Sequence, residues 1–215
     1  MNYIENVFVC IAAPLLVAAF CLRDKGRRTM IFLIAGMTAC LLSSYISTFF
    51  ASVHGLSYMT ASLEVSPTVE EVMKFLPFLF YLLVFEPKRD ELTDEVLMIS
   101  VGFATFENAC YLTTNGADRV LFLMIRGFGT GAMHVVSGFL VTLGLIYLWD
   151  RVWLRAAGTL GLLAVAMSYH GIYNIMVSQP GSMAYAGYFI PVFTVILGLL
   201  FRQKIYYQKT EQQHF

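Results

Sequence analysis

The chain has 215 residues, of which 58% are hydrophobic and only 13% are charged, and its formal net charge is zero. A soluble domain carries about 25% charged residues, so this composition excludes an ordinary soluble protein and predicts a polytopic protein of the lipid bilayer. The balanced charge offers no basic face that would neutralise phosphates. We therefore expect no nucleic-acid partner.

Seven apolar segments each approach the ~20 residues that cross ~30 Å of hydrocarbon. Short connections join them, which predicts an all-α transmembrane bundle of about seven helices in a single integral-membrane domain over residues 1–215. The predicted spans are 3–22, 29–53, 67–85, 96–113, 120–149, 152–177 and 183–201.

The distribution of lysine and arginine predicts the orientation of the chain, because cytoplasmic loops are enriched in these residues. If the N-terminus lies outside, 11 of the 14 basic residues fall on the inner side. The three others are Lys74, Arg119 and Arg126. We therefore predict an outer N-terminus and a cytoplasmic C-terminus.

Several ionisable residues interrupt the predicted spans at positions where a bilayer would reject them. Such residues are costly at membrane depth and by default mark a functional site. At 1.5 Å of rise per residue, those on the third, fourth and sixth spans lie about 5 to 10 Å below the outer end of their helix. The residues are Glu70, Glu71, Glu107, His134 and His170.

The fifth segment needs a further assumption to place His134 in the same layer. A straight helix over residues 120–149 would be about 45 Å long, with His134 near its middle. Gly127, Gly129 and Gly131 offer a bend or a close packing contact, because glycine destabilises a helix interior. If a short outer helix breaks there, His134 also lies about 7 Å below the surface.

Spacing within the third span suggests separate roles for its two glutamates. Ser66 is the expected N-cap and Pro67 the first helical residue. The i,i+4 relation places Glu70 beside Lys74, while Glu71 points about 100° away. One glutamate is therefore expected to pair with the lysine while the other faces the site.

The motifs occur in a fixed order that is more specific than any one of them. They are Glu-Glu-x-x-Lys at 70–74, Phe-x-x-x-Glu at 103–107, a histidine at 134 and His-x-x-x-Asn at 170–174. This series resembles the motifs of the PrsW family of membrane-embedded proteases, which is related to the CAAX prenyl endopeptidases and the Abi group. The resemblance covers the core from about residue 64 to residue 174.

The resemblance implies a peptidase of a bacterial cytoplasmic membrane that acts on membrane proteins or peptides. The best-known role of the family is the first, outward-facing cut of an anti-sigma factor, which is a single-pass membrane protein. Carboxylate and imidazole are also the groups that bind zinc and activate water. Both considerations predict a metallopeptidase that cuts near the outer face.

We expect Glu107, His134 and His170 to bind zinc and to leave its fourth position to water. Glu71 or Glu70 would accept the proton of that water and pass it to the leaving amine. Asn174 lies one turn after His170 and would stabilise the developing oxyanion. A metal-free glutamate mechanism stays open.

Two other functions compete with this interpretation. Intramembrane glutamate and histidine also serve ion or proton transporters, although transporter sites commonly lie near the midplane between paired repeats, and no repeat is visible here. A CAAX-type prenyl-protein peptidase is the second alternative. A non-enzymatic scaffold would leave the costly residues unexplained.

Overall fold

A computed structural model of the protein describes residues 4–85, 89–116, 119–148 and 152–212. Within these ranges the chain is helical and contains no strand, which confirms the predicted all-α bundle. The predicted ends at residues 3 and 149 lie outside the described ranges. The long helices are α1 (Ile4–Cys21), α2 (Asp24–His54), α3 (Ser66–Phe85), α4 (Arg89–Asn115), α5 (Val120–Leu148), α6 (Val152–Ser178) and α7 (Ser182–Gln212).

Six of these helices are long and apolar enough to cross a membrane, judged by length and composition over the described residues. The remaining one is α3, which has 20 residues, the length of a span, but carries Glu70, Glu71 and Lys74. The protein is therefore a multi-pass membrane protein. The helix that carries the first motif has three ionisable residues within its 20-residue length.

A very close contact joins α2 and α4. A Cβ added at Gly36 of α2 would lie 2.0 Å from the carbonyl oxygen of Ile99, and one added at Gly102 of α4 would lie 2.0 Å from that of Leu33. Only glycine lets two helix backbones approach this closely. The reciprocal contact fixes α4, which carries Glu107, against α2.

The fifth helix does not break at its glycines. α5 is continuous from Val120 to Leu148, so the predicted short outer helix is wrong. Gly129 instead serves close packing, because a Cβ there would lie 2.8 Å from the Tyr188 ring of α7. Nothing lies within 4 Å of the corresponding positions at Gly127 and Gly131. The helix keeps its regular hydrogen bonds through the glycines and uses one of them as a contact.

The backbone is already helical before α3 begins. A single turn at Tyr58–Thr60 and a π-helical segment at Ala61–Val65 lead directly into Ser66. Ser66 has helical dihedral angles (φ −57°, ψ −47°), so its predicted role as an N-cap is wrong. Ser57 caps the helical stretch instead, and its Oγ accepts a hydrogen bond from the Thr60 amide at 3.1 Å.

Two ion pairs join α2 to α4 at the other end of the bundle, and a hydrogen bond joins α2 to α3. Lys25 Nζ lies 2.8 Å from Asp94 Oδ2, and Arg28 Nε lies 2.8 Å from Glu95 Oε1. Arg28 Nη1 also donates to the Tyr81 hydroxyl at 3.1 Å. By the predicted orientation, these contacts lie at the cytoplasmic end.

Candidate active site

The ionisable residues selected from the sequence come together in one cluster. α3 contributes Glu70, Glu71 and Lys74, and α4, α5 and α6 contribute one residue each. The cluster has a buried inner half and a more open rim, since the side chains of Glu70 and Glu107 are 18% and 29% exposed. The buried members are Glu71, Lys74, His134 and His170.

Lys74 lies at the centre of the buried half. Its Nζ donates to Glu71 Oε1 at 2.7 Å and to Ser137 Oγ at 2.9 Å, and it lies 3.0 Å from His134 Nδ1. An ammonium group has three hydrogens and no acceptor, so it is the donor in every one of these contacts. The charge of Lys74, which is costly at membrane depth, is thereby balanced by one carboxylate and hydrogen-bonded to two neutral groups.

Lys74 pairs with Glu71, whereas the sequence predicted a pair with Glu70. Lys74 forms an i,i+3 ion pair with Glu71, in place of the expected i,i+4 pair with Glu70. Glu71 points into the bundle, whereas Glu70 lies at the rim beside His170. The predicted pair of Glu70 with Lys74 is therefore wrong, and which glutamate acts on the substrate stays a prediction.

The contacts of His170 define which of its nitrogens is free to bind a ligand. Nδ1 lies 2.7 Å from Glu71 Oε1. Because an ionised carboxylate only accepts, Nδ1 carries the hydrogen and Nε2 presents a lone pair. Nε2 faces Glu70 Oε2 at 3.6 Å, so two electron-pair donors oppose each other. A carboxylate behind an imidazole is also the usual support of a metal-ligating histidine.

Three residues of the cluster could hold a metal ion. Ligand atoms of Glu70, His134 and His170 all lie within 4.8 Å of one another. Because Lys74 donates to Nδ1 of His134, the hydrogen of this ring is on Nε2, and a metal ion would have to displace it. Two imidazoles and one carboxylate form a donor set typical of catalytic zinc sites. The set contains both predicted histidines, with Glu70 in the place that the sequence analysis gave to Glu107.

Glu107 lies directly beside these three residues. Its Oε2 is 2.6 Å from His134 Nε2, and its side chain is among the more exposed of the cluster. The rings of His134 and His170 meet edge to face with centroids 5.1 Å apart, and Phe103 packs on His134 from the other side at 4.8 Å. The site therefore offers a second carboxylate next to the candidate metal ligands.

Arg126 is a site residue that the sequence analysis did not select. Its Nη2 lies 3.1 Å from Glu107 Oε1, and its Nη1 donates to Asn108 Oδ1. The guanidinium carbon lies 3.8 Å from the centroid of the Tyr111 ring. The sequence could have indicated Arg126 as a site residue, because it precedes His134 by eight residues, which places both on one face of α5.

Asn174 contacts the entry to α3. Its Nδ2 donates to the carbonyl oxygen of Ser62 at 3.1 Å, which joins α6 to the π-helical segment. The amide has a second N–H, so the oxyanion role expected for Asn174 stays a prediction. One turn earlier on the same helix, His170 enters the cluster, so this hydrogen bond also helps to fix its position.

Residues 23–200 match the family model described as PrsW family intramembrane metalloprotease. No curated protein and no solved structure matches the chain. The matched region contains every residue of the cluster, the whole of α2 to α6 and α7 as far as residue 200. The resemblance seen in the ordered motifs is thereby confirmed, and the chain belongs to the PrsW family of intramembrane metalloproteases.

Proposed function

We propose that this membrane protease is a zinc-dependent endopeptidase that cuts membrane proteins near the outer face of the bilayer. The observation that carries the proposal is the close approach of Glu70, His134 and His170 inside a membrane-embedded bundle. When bound there, zinc would supply a Lewis acid that polarises a peptide carbonyl and lowers the pKa of water toward ~7. Together, the three residues would hold the ion.

Glu107 is best placed to move the proton of the reaction. It is partly exposed and its Oε2 lies beside the candidate ligands. We assign to it the proton of the attacking water, which it returns to the amine nitrogen as the peptide C–N bond breaks. Such a positioned base contributes typically ~10² to 10⁴ in rate.

Glu71, the first choice from the sequence, suits a different task. It is 3% exposed, and its Oε1 already contacts both Lys74 and His170. These contacts hold the His170 ring with Nε2 toward the site. Glu71 is therefore proposed as the residue that orients His170, and Lys74 as the counter-charge that holds Glu71 in place.

The substrate and the side of attack are proposed from the position of the cluster. Glu107 and His170 lie about two helical turns from the ends of α4 and α6. Glu70 and His134 lie deeper, about three to four turns from Tyr58 and Val120, where their helical stretches begin. By the distribution of basic residues, that end of the bundle faces outward. A single-pass protein with a short outer segment, such as an anti-sigma factor, suits a site at this depth. Membership of a protease family favours this function over the transporter and the CAAX-type peptidase.

The test compares zinc content and cleavage in purified variants. Glu107→Gln should keep zinc and substrate binding but lose a factor on the order of 10² or more in turnover. Glu70→Gln, His134→Ala and His170→Ala should lose stoichiometric zinc. Glu64→Gln, an exposed glutamate just before α3, is the matched control and should behave as the unchanged protein.

Each result discriminates between assignments. Wild-type turnover in Glu107→Gln would remove Glu107 as the base. Zinc retained in Glu70→Gln and lost in Glu107→Gln would restore the ligand set expected from the sequence. Full activity of the unchanged protein without any metal would favour the glutamate mechanism instead.

A further inference from the structure

We propose that Arg126 is a positioning residue for the protease reaction and acts by fixing the carboxylate of Glu107. The inference rests on the proposed role of Glu107 as proton acceptor. Arg126 does not reach the candidate metal ligands through any described hydrogen bond, and its polar contacts are with α4. Its effect on the reaction would therefore pass through Glu107.

The contacts of the Glu107 carboxylate show how fixing one of its oxygens fixes the position of the other. Arg126 Nη2 holds Glu107 Oε1 at 3.1 Å, while Oε2 lies 2.6 Å from His134 Nε2. Since the two oxygens of a carboxylate are rigidly related, holding Oε1 sets the direction of Oε2. Without Arg126, the His134 contact would be the only described hydrogen bond of the Glu107 carboxylate. A partly exposed side chain with one contact can rotate away from the site.

The guanidinium is itself held in place by neighbours on α4. Its second nitrogen, Nη1, donates to Asn108 Oδ1, and the Tyr111 ring supports its face at 3.8 Å. Arg126 has a side chain that is 12% exposed, so its charge is largely removed from solvent. The planar fork suits two simultaneous contacts of fixed relative direction, which a lysine ammonium does not reproduce. The arrangement thus provides a fixed direction as well as a counter-charge.

This role predicts a specific kinetic signature. A misplacement of ~1 Å in a reacting group can cost on the order of 10² in rate. Arg126→Gln should therefore lower kcat by roughly 10- to 100-fold, with KM within about twofold of the wild-type value and zinc content unchanged. Arg126→Lys should recover part of kcat, since it restores the charge without the fork.

Chemical rescue separates positioning from a general loss of structure. Millimolar guanidinium added to Arg126→Ala should restore part of kcat, because the ion can occupy the vacated contact with Glu107. Arg119→Gln is the matched control, since Arg119 is an exposed arginine just before α5. It should leave kcat and KM unchanged, and guanidinium should not stimulate it.

A second pair of variants covers the case in which Arg126 variants do not fold. Asn108→Ala and Tyr111→Leu keep both Arg126 and Glu107 but remove the outer supports of the guanidinium. Each should lower kcat by several-fold without loss of zinc. Wild-type kcat in both, alongside unfolded Arg126 variants, would mean that Arg126 has only a structural role.

The outcomes also separate this inference from the proposed function. If Glu107→Gln is fully active, the proposed base is wrong and the argument for Arg126 falls with it. If Glu107→Gln is inactive while Arg126→Gln keeps wild-type kcat, only the role of Arg126 is refuted. A rise in KM at constant kcat would make Arg126 a substrate contact. Loss of zinc would connect it to the metal site. Either result overturns the inference.

Discussion

The position of Lys74 determines which glutamate of the first motif is structural. Its side chain is 6% exposed, and its ion-pair partner is Glu71, which is buried as well. Removing one partner of a buried pair leaves the other as an unpaired charge in a medium of low dielectric constant. Glu70 is not held in such a pair, because it lies at the rim and faces Nε2 of His170, which carries no hydrogen, at 3.6 Å.

Glutamine substitutions at the two adjacent positions should therefore differ in stability. Glu71→Gln keeps the shape but leaves the Lys74 ammonium without a carboxylate, which should cost about 3–5 kcal/mol. Glu70→Gln should change stability little. Thermal unfolding in detergent, with a chelator present to remove the contribution of bound metal, measures both. A larger loss for Glu70→Gln would restore the pairing expected from the sequence.

The sequence identified the costly residues but not their partners. Five ionisable side chains could be identified because they interrupt spans that are otherwise apolar. Whether Lys74 pairs three or four residues back depends on where His170 and His134 approach from other helices, which spacing on α3 alone does not contain. Arg126 appeared in the sequence only as one of the three basic residues that do not fall on the inner side. Its contact with Glu107 joins two helices, so spacing within either helix does not predict it.

The helices themselves were largely predictable, whereas their ends were not. Apolar length correctly located every long helix, but α4 and α7 extend beyond the predicted spans 96–113 and 183–201. Hydropathy indicates which residues lie in the lipid, and a helix can continue through polar residues beyond them. The π-helical segment at Ala61–Val65 carried no recognisable signal, since its residues also suit a regular helix.

The contact between α2 and α4 gives a prediction for single methyl groups. Gly36→Ala would place Cβ 2.0 Å from the Ile99 carbonyl oxygen, and a backbone atom cannot rotate out of the way. The helices must separate, so we expect a marked loss of thermal stability and of folded yield in detergent, together with lower activity.

Gly161→Ala is the control for this substitution, because nothing lies within 4 Å of a Cβ at that helical position. It should be neutral or slightly stabilising, since alanine favours a helix by about 1 kcal/mol over glycine. Equal behaviour of the two variants would show that the bundle tolerates a shift of α2 against α4. The same comparison for Gly102→Ala tests the other half of the reciprocal contact.

At the scale of the whole molecule, orientation decides which compartment supplies the substrate. We predict that a cysteine replacing Tyr58, whose side chain is 91% exposed, reacts in intact cells with an impermeant thiol reagent. A cysteine replacing Lys25 at the other end should react only after permeabilisation. The protein without an added cysteine measures background from its own four cysteines. The opposite pattern would place the site at the inner face and remove the case for an outward cut.

The division of the cluster among α3, α4, α5 and α6 has a consequence for biosynthesis. Glu70 and Glu107 enter the bilayer early in translation, but His170 is supplied by the sixth long helix. A nascent chain that has inserted only its first helices holds carboxylates and no complete donor set. With the proposed donor set, proteolytic activity would be withheld until the ribosome has delivered α6 and the helices have assembled. A protease embedded among other membrane proteins would in this way stay inactive during its own insertion, without a separate inhibitory segment being required.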